Sequence, residues 1–196
     1  MMRLRPAAMI AAATVCGVVS AAPQAKVTFE LTSPDLPAGQ PIPEMFTADT
    51  FGCHGPNLSP ALKWSHAPPG TRSFAITLFD PYRPPVSGWW HWVVYDLPAT
   101  THELPRSAGS AGHSGLPAGA RQARPDGDAP EPHYYGPCPD EGDPPHSYTI
   151  TVYALSVEHL DVAATSTPAN IDYVISGKTL AKATLVRLFS RPKKGS

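Results

Sequence analysis

The sequence predicts a mainly β protein, an antiparallel sandwich with helices added towards the C-terminus. Three observations carry this. Proline supplies 25 of 196 residues, against the roughly 5% that is usual, and such density forbids long helices through most of the chain. Apolar residues alternate over short windows at 27–31, 62–64 and 147–155, the period of a strand with one buried face. A helical spacing, at Ile171, Val174 and Ile175, emerges only after residue 169.

The elements follow in order. Arg3 and Arg5 precede a short apolar stretch, Met9 to Val19, too short to span a bilayer comfortably. The expectation is a signal peptide over residues 1–21, cut after Ala21 or alternatively after Ala22. Residues 22–196 then form one domain with its core at about 27–191, exported to the periplasm or secreted, with no transmembrane segment. A lipid anchor at Cys16 is disfavoured, because Thr14 and Val15 match a lipobox poorly. Export removes Cys16 and leaves Cys53 and Cys138 in an oxidising compartment, which invites one disulfide, two free buried thiols being the alternative. A bridge across roughly 85 residues would contribute about 4–5 kcal/mol in the chain-entropy account.

Strands are expected at Val27–Leu31, Leu62–Trp64, Ser73–Phe79, Trp89–Tyr95 and Ser147–Leu155. Pro81, Pro84, Pro85 and Gly88 make a rigid loop between the third and fourth. Residues 105–146 hold most of the remaining Pro and Gly and read as a long, irregular region, the kind usually kept for function. The helix begun near Ala169 is expected to break at Gly177 and to resume through Leu180, Ala183 and Leu185 to Leu188.

Charge is sparse at 16% and the net charge is −1. Without a basic stripe, a nucleic-acid partner is excluded; Arg191, Lys193 and Lys194 read as a solvated tail. The chemistry concentrates around GWWHWVV at 88–94, eight residues after the carboxylate of Asp80. Strict alternation puts Trp90, Trp92 and Val94 on one face and Trp89, His91 and Val93 on the other. A titratable ring among aromatics is either a hydrogen-bonded core group or part of a pocket. Asp80, His91 and His146 are residue types that can hold a metal, but no compact ligand spacing accompanies them. Ser114, in AGHSGL, lacks the last glycine of a nucleophile elbow. Neither an enzyme nor a required cofactor or metal is expected.

Four segments together, NLSPALKW (57–64), DPYRPP (80–85), GWWHWVV (88–94) and YGPCPDEGDPPHSYTI (135–150), resemble the phosphatidylethanolamine-binding protein family, in its bacterial, Raf kinase inhibitor-like branch. LPAGARQ (116–122), YALSVEHLDV (153–162) and GKTLAKATL (177–185) extend the resemblance over residues 27–191. It implies a sandwich of a large and a smaller sheet. It also implies a non-enzymatic pocket for a small anion or phosphorylated head group. Carried over residue by residue, Asp80, Trp89, His91, Gly136, Pro137, His146 and Tyr148 line that pocket, with Pro81, Arg83 and Pro84 at its rim. Protonated imidazoles and a tyrosine hydroxyl would donate to the anion, Gly136 would let it approach backbone N–H groups, and Asp80 would hold a histidine in one tautomer. Many bacterial relatives have cysteines at the positions of Cys53 and Cys138. Two departures stand out. Tyr82 and Arg83 replace the usual Asp and Ala of DPDAP, and Asp140 and Glu141 follow GPCP where a second proline is common. Relatives known as kinase or protease inhibitors also suggest a protein partner, met through the loop at 105–135.

Overall fold

The computed structural model describes residues 28–82, 88–113, 115–127, 129 and 131–193. The expected signal peptide, Val27, Arg83, Pro84 and Ser114 lie outside the described residues. Eight strands and one α-helix follow in order: β1 (Glu30–Thr32), β2 (Leu62–Ser65), β3 (Ser73–Asp80), β4 (Trp89–Pro98), β5 (Glu103–Leu104), β6 (Arg121–Gln122), β7 (His146–Leu155), α1 (Pro168–Ser176) and β8 (Thr179–Phe189). The small sheet runs β1-β2-β5 and the large one β6-β4-β3-β7-β8, with every pairing antiparallel.

Two apolar layers explain the patterns. Between the sheets, Leu31, Leu62 and Trp64 meet Phe74, Ile76, Leu78, Trp92, Ile150 and Leu185. On the outer face of the large sheet, Ala75, Val93, Tyr95 and Leu155 meet Ile171 and Ile175 of α1. β3 lies under both layers, which is why Ser73 to Phe79 reads as a continuous apolar run rather than an alternation. The helix starts where the sequence allows: Thr167 caps it by accepting from the Asn170 N–H at 3.3 Å, and Pro168 occupies its first turn.

The expected second helix is a strand. Residues 179–189 alternate, with Ala183 and Leu185 buried and Leu180, Val186 and Leu188 exposed, and they pair with β7 along their length. Alanine and leucine favour a helix in isolation, but the open edge of β7 offers a full ladder of hydrogen bonds and an inward face that fits period 2, not 3.6. The outer edge of β8 is partly covered in turn. The Ile42 N–H donates to the Leu188 carbonyl (3.0 Å) and the Arg187 guanidinium to the Leu36 carbonyl (2.7 Å).

Strict alternation also fails in β4. Leu78 pairs with Trp92 but Phe79 with Trp90, so His91 is the extra residue of a β-bulge. Trp92 lies between the sheets, whereas Trp90 packs with the outer layer. The two tryptophans therefore occupy opposite faces, not one.

Ion pairing pins loops to this frame. The Arg106 guanidinium forks onto the Asp35 carboxylate, with Nε to Oδ2 at 3.1 Å, and stacks 5.8 Å from the Phe46 ring centroid. The Ala61 N–H adds a hydrogen bond to the same carboxylate (2.8 Å). Arg106 first, and then this N–H against the opposing effect of burial, hold the Asp35 carboxyl below the usual range.

Leu185→Asp should abolish folding, while Leu188→Lys should shift stability by no more than about 0.5 kcal/mol in urea denaturation. Comparable losses at both positions would contradict the alternation of β8. Because the Asp35 pKa is lowered on folding, its contribution is present above the unfolded value and lost as pH falls through the folded one. Arg106→Met should lower the urea midpoint at pH 7, and the difference from wild type should vanish progressively below about pH 4; denaturation midpoints at pH 3, 5 and 7 check this.

Candidate functional site

The pocket forms where β3, β4 and β7 end together at one end of the sandwich. Asp80 is the last residue of β3, Trp89 and His91 open β4, and His146 and Tyr148 open β7. These five line one cavity with Phe51, Tyr135, Cys138 and Pro139.

Asp80 and His146 are both about 2% exposed, and His146 Nδ1 donates to Asp80 Oδ2 at 2.7 Å. The other carboxylate oxygen accepts the Tyr82 N–H at 2.9 Å. An ionised carboxylate this deep needs such donors, since burial without partners costs several kcal/mol. The bond to Asp80 fixes the proton on Nδ1 and leaves Nε2 as the ring's second polar atom. Nε2 is buried and has no hydrogen-bond partner among the described residues. Asp143 Oδ2 lies 3.4 Å from it, close enough for charge attraction but without hydrogen-bond geometry. The Tyr82 ring stands edge-to-face against the imidazole, 4.7 Å between centroids.

His91 is oriented differently. Its Nδ1 donates to the Tyr135 carbonyl at 2.8 Å, and its ring meets Tyr148 edge-on at 5.3 Å. The bulge makes this contact, because it turns His91 to the side of the sheet on which Tyr148 lies. Trp89 forms a half-buried wall 6.5 Å from the His91 ring. The two histidines thus bring N–H donors or lone pairs to one small cavity walled by aromatic rings, where hydrogen bonds to a charged group are strengthened by low polarity. Asp80 and His146 bond to each other rather than converging on a shared point. Among the described residues, no group of three or more His, Cys, Asp or Glu side chains is arranged to hold a metal.

Gly136 and Pro137 stand behind the wall, not on it; Tyr135, Cys138 and Pro139 form the surface. The Gly136 N–H donates to Asn57 Oδ1 at 2.8 Å and so is engaged within the protein. Its lack of a side chain serves packing: a Cβ there would overlap Phe46 O, Thr47 C and Ala48 N. The glycine permits close approach of two backbones. Asn57 and Ser59 act as structural ties, with the Ser59 hydroxyl accepting the Gly109 N–H at 2.9 Å.

The remaining wall comes from loops fastened to one another. Cys53 and Cys138 form a disulfide across 85 residues of sequence. Arg191 is no solvated tail: it donates to the Gly52 carbonyl (2.7 Å) and the Pro139 carbonyl (3.3 Å) and pairs with Glu141 at 2.8 Å. Glu141 is therefore matched by a cation. Tyr135 shares a hydrogen bond with Thr50, and Phe51 stands at the mouth 68% exposed with a left-handed backbone (φ 53°), a strained conformation for a bulky residue. Tyr135 had a signal in the sequence, its place beside GPCP. Phe51 had none.

The phosphatidylethanolamine-binding protein family profile matches residues 32–190. Protein YbcL of Escherichia coli K12 is 38% identical over 90% of this chain and 94% of its own length, and YbhB of the same organism is 39% identical over 82% and 99%. A putative lipoprotein of Mycobacterium tuberculosis, LppC, is 31% identical over 90% and 79%. The crystal structure of E. coli YbcL, described as a new member of the mammalian PEBP family, superposes with a TM-score of 0.78 at 39% identity, covering 83% of this chain and 98% of that one.

Gly136→Ala should cost about 2–4 kcal/mol and displace the 135–139 wall. Thermal melts and the chemical shifts of His91 and Tyr135 check this; a melt within 2 °C of wild type would show that the backbones can separate.

Proposed function

The chain belongs to the phosphatidylethanolamine-binding protein family, and from that premise we propose that the cavity of Asp80, Trp89, His91, His146 and Tyr148 binds a small anion or the phosphate of a phosphorylated head group. Binding, not catalysis, is the role proposed. The observation that carries the reading is His146, a residue of the cavity lining whose Nδ1 is fixed by Asp80 and whose buried Nε2 has no hydrogen-bond partner among the described residues. Buried polar atoms are nearly always satisfied, and one left open beside a cavity suits a ligand oxygen. Tyr148 and His91 supply further polar atoms around the same space, and Trp89 keeps it dry. Gly136 and Pro137 support the wall behind it.

Export fits the same picture. A charged then apolar N-terminus, a disulfide and a relative described as a putative lipoprotein support an oxidising compartment outside the cytoplasm. No helix among the described residues is long and apolar enough to cross a membrane.

Calorimetric titration of phosphate and phosphoethanolamine into mature, metal-checked protein tests the reading. Wild type should bind saturably, and His146→Ala should bind roughly 10- to 100-fold more weakly, the worth of a hydrogen bond to a charged group. Absence of binding together with a stoichiometric metal in the purified protein would replace this reading with a metal-dependent one.

A further inference from the structure

Phe51 and Tyr135 line a second cavity as well as the first. With them stand Asp49, Asn57, Asp126 and His133. The carboxylates and the ring nitrogen left open there all accept hydrogen bonds. We propose that this second cavity is a cation site that takes a primary ammonium group, held by Asp126, Asp49 and the Nε2 lone pair of His133 against the two aromatic rings.

His133 is only 7% exposed. Its Nδ1 donates to the Glu131 carbonyl at 2.8 Å. A carbonyl can only accept, so the proton sits on Nδ1 and Nε2 of the neutral ring presents a lone pair. That nitrogen has no hydrogen-bond partner among the described residues, an uncommon state for a ring so deeply buried. Asp126 is held rigidly: its Oδ2 accepts the Trp90 N–H at 2.9 Å, and its own N–H returns to the Trp90 carbonyl at 2.9 Å. Its Oδ1 has no hydrogen-bond partner among the described residues. Burial, opposed by the Trp90 N–H, pushes the Asp126 carboxyl above the usual carboxylate range, the mark of a charge without a compensating cation. Asp49 is more exposed and is tied to the stapled wall, since Asn57 Nδ2 donates to its Oδ1 at 3.3 Å while Asn57 Oδ1 takes the Gly136 N–H. Among the described residues no Lys or Arg stands in this lining. The Tyr135 ring lies 6.3 Å from both the Phe51 and the His133 rings, so a cation in the cavity meets aromatic faces. A primary ammonium carries one positive charge and three N–H donors. It therefore satisfies both carboxylates and the imidazole lone pair at once.

NMR titration of propylammonium chloride into the mature protein tests this, at constant ionic strength and about pH 8, where an ordinary imidazole is neutral. The ring signals of His133 and Tyr135 should shift saturably. Asp126→Asn keeps an oxygen for the Trp90 N–H and should weaken binding roughly tenfold or more, the worth of a hydrogen bond between charged groups. His133→Phe keeps a ring without the lone pair and should weaken it roughly tenfold, read from the Tyr135 signals. Asp49→Asn should cost about two- to fivefold, a loss that shrinks at roughly 0.5 M salt; its exposed position keeps the test decisive if a buried variant fails to fold. Tetramethylammonium, of equal charge but without an N–H, should bind at least about tenfold more weakly. N-acetyl-lysine amide separates the two sources of such a group: affinity equal to that of propylammonium assigns the site to a lysine side chain of a protein partner, and much weaker binding assigns it to a free amine. No saturation up to about 100 mM propylammonium overturns the site. So does equal affinity for tetramethylammonium, or unchanged binding in Asp126→Asn and His133→Phe proteins that show native near-UV spectra. None of these readouts depends on phosphate binding in the first cavity.

Discussion

One extra residue in β4 governs the site. In an unbroken ladder His91 would share the outward face of Val93, against the helix layer. The bulge between the Phe79–Trp90 and Leu78–Trp92 pairs places His91 and Trp92 on the same side. Trp92 can then fill the space between the sheets, donating to Gln122 at 2.6 Å and meeting the Tyr134 ring edge-on. His91 projects beside it into the open end, against Tyr148. Core and pocket are thus made by neighbouring residues of one strand. Gly109 shows how tightly the arrangement is packed, since a Cβ there would overlap the Trp92 indole.

The buried charge next to it follows a similar economy. Asp80 sits at the exact end of its strand, where the pairing of β3 with β7 runs out and side chains from both can reach one another. Each of its oxygens takes one N–H, from Tyr82 and from His146. A carboxylate at this depth is tolerated only when such donors converge on it. Removing either would leave a costly group, so the carboxylate, the imidazole and the turn that carries Tyr82 form one unit rather than three independent features.

Much of this is legible in the sequence, and the failures are physical. The strands at 62–65, 73–80, 89–98 and 146–155 announce themselves because their burial is one- or two-sided and continuous. β8 does not: AKATL reads as helix by propensity, and only the free edge of β7, a tertiary fact, makes it a strand. The faces of Trp90 and Trp92 were misplaced because a bulge leaves no mark in a period-2 reading. Asp80, Trp89, His91, His146 and Tyr148 are brought together as the motifs imply, since each sits at a strand end. Gly136 admits the 46–48 backbone, which a Cβ there would overlap, a contact that spacing alone does not reveal. Arg191 looked like a tail because its partners are carbonyls of distant loops, invisible as charge pairs.

The loop-built wall is where the long irregular stretch acquires a purpose. Strands alone would leave the pocket open on one side, because β3, β4 and β7 end together. The segments 47–57 and 135–139 close it, and neither has a sheet to hold it. Their order comes instead from crosslinks spaced along the wall: the Cys53–Cys138 bridge, Asn57 on the Gly136 N–H, Thr50 on Tyr135, and Arg191 across the Gly52 and Pro139 carbonyls. All join residues far apart in sequence, and the disulfide, being covalent, also limits the unfolded chain. Proline fixes the backbone between them, as at Pro137 and Pro139.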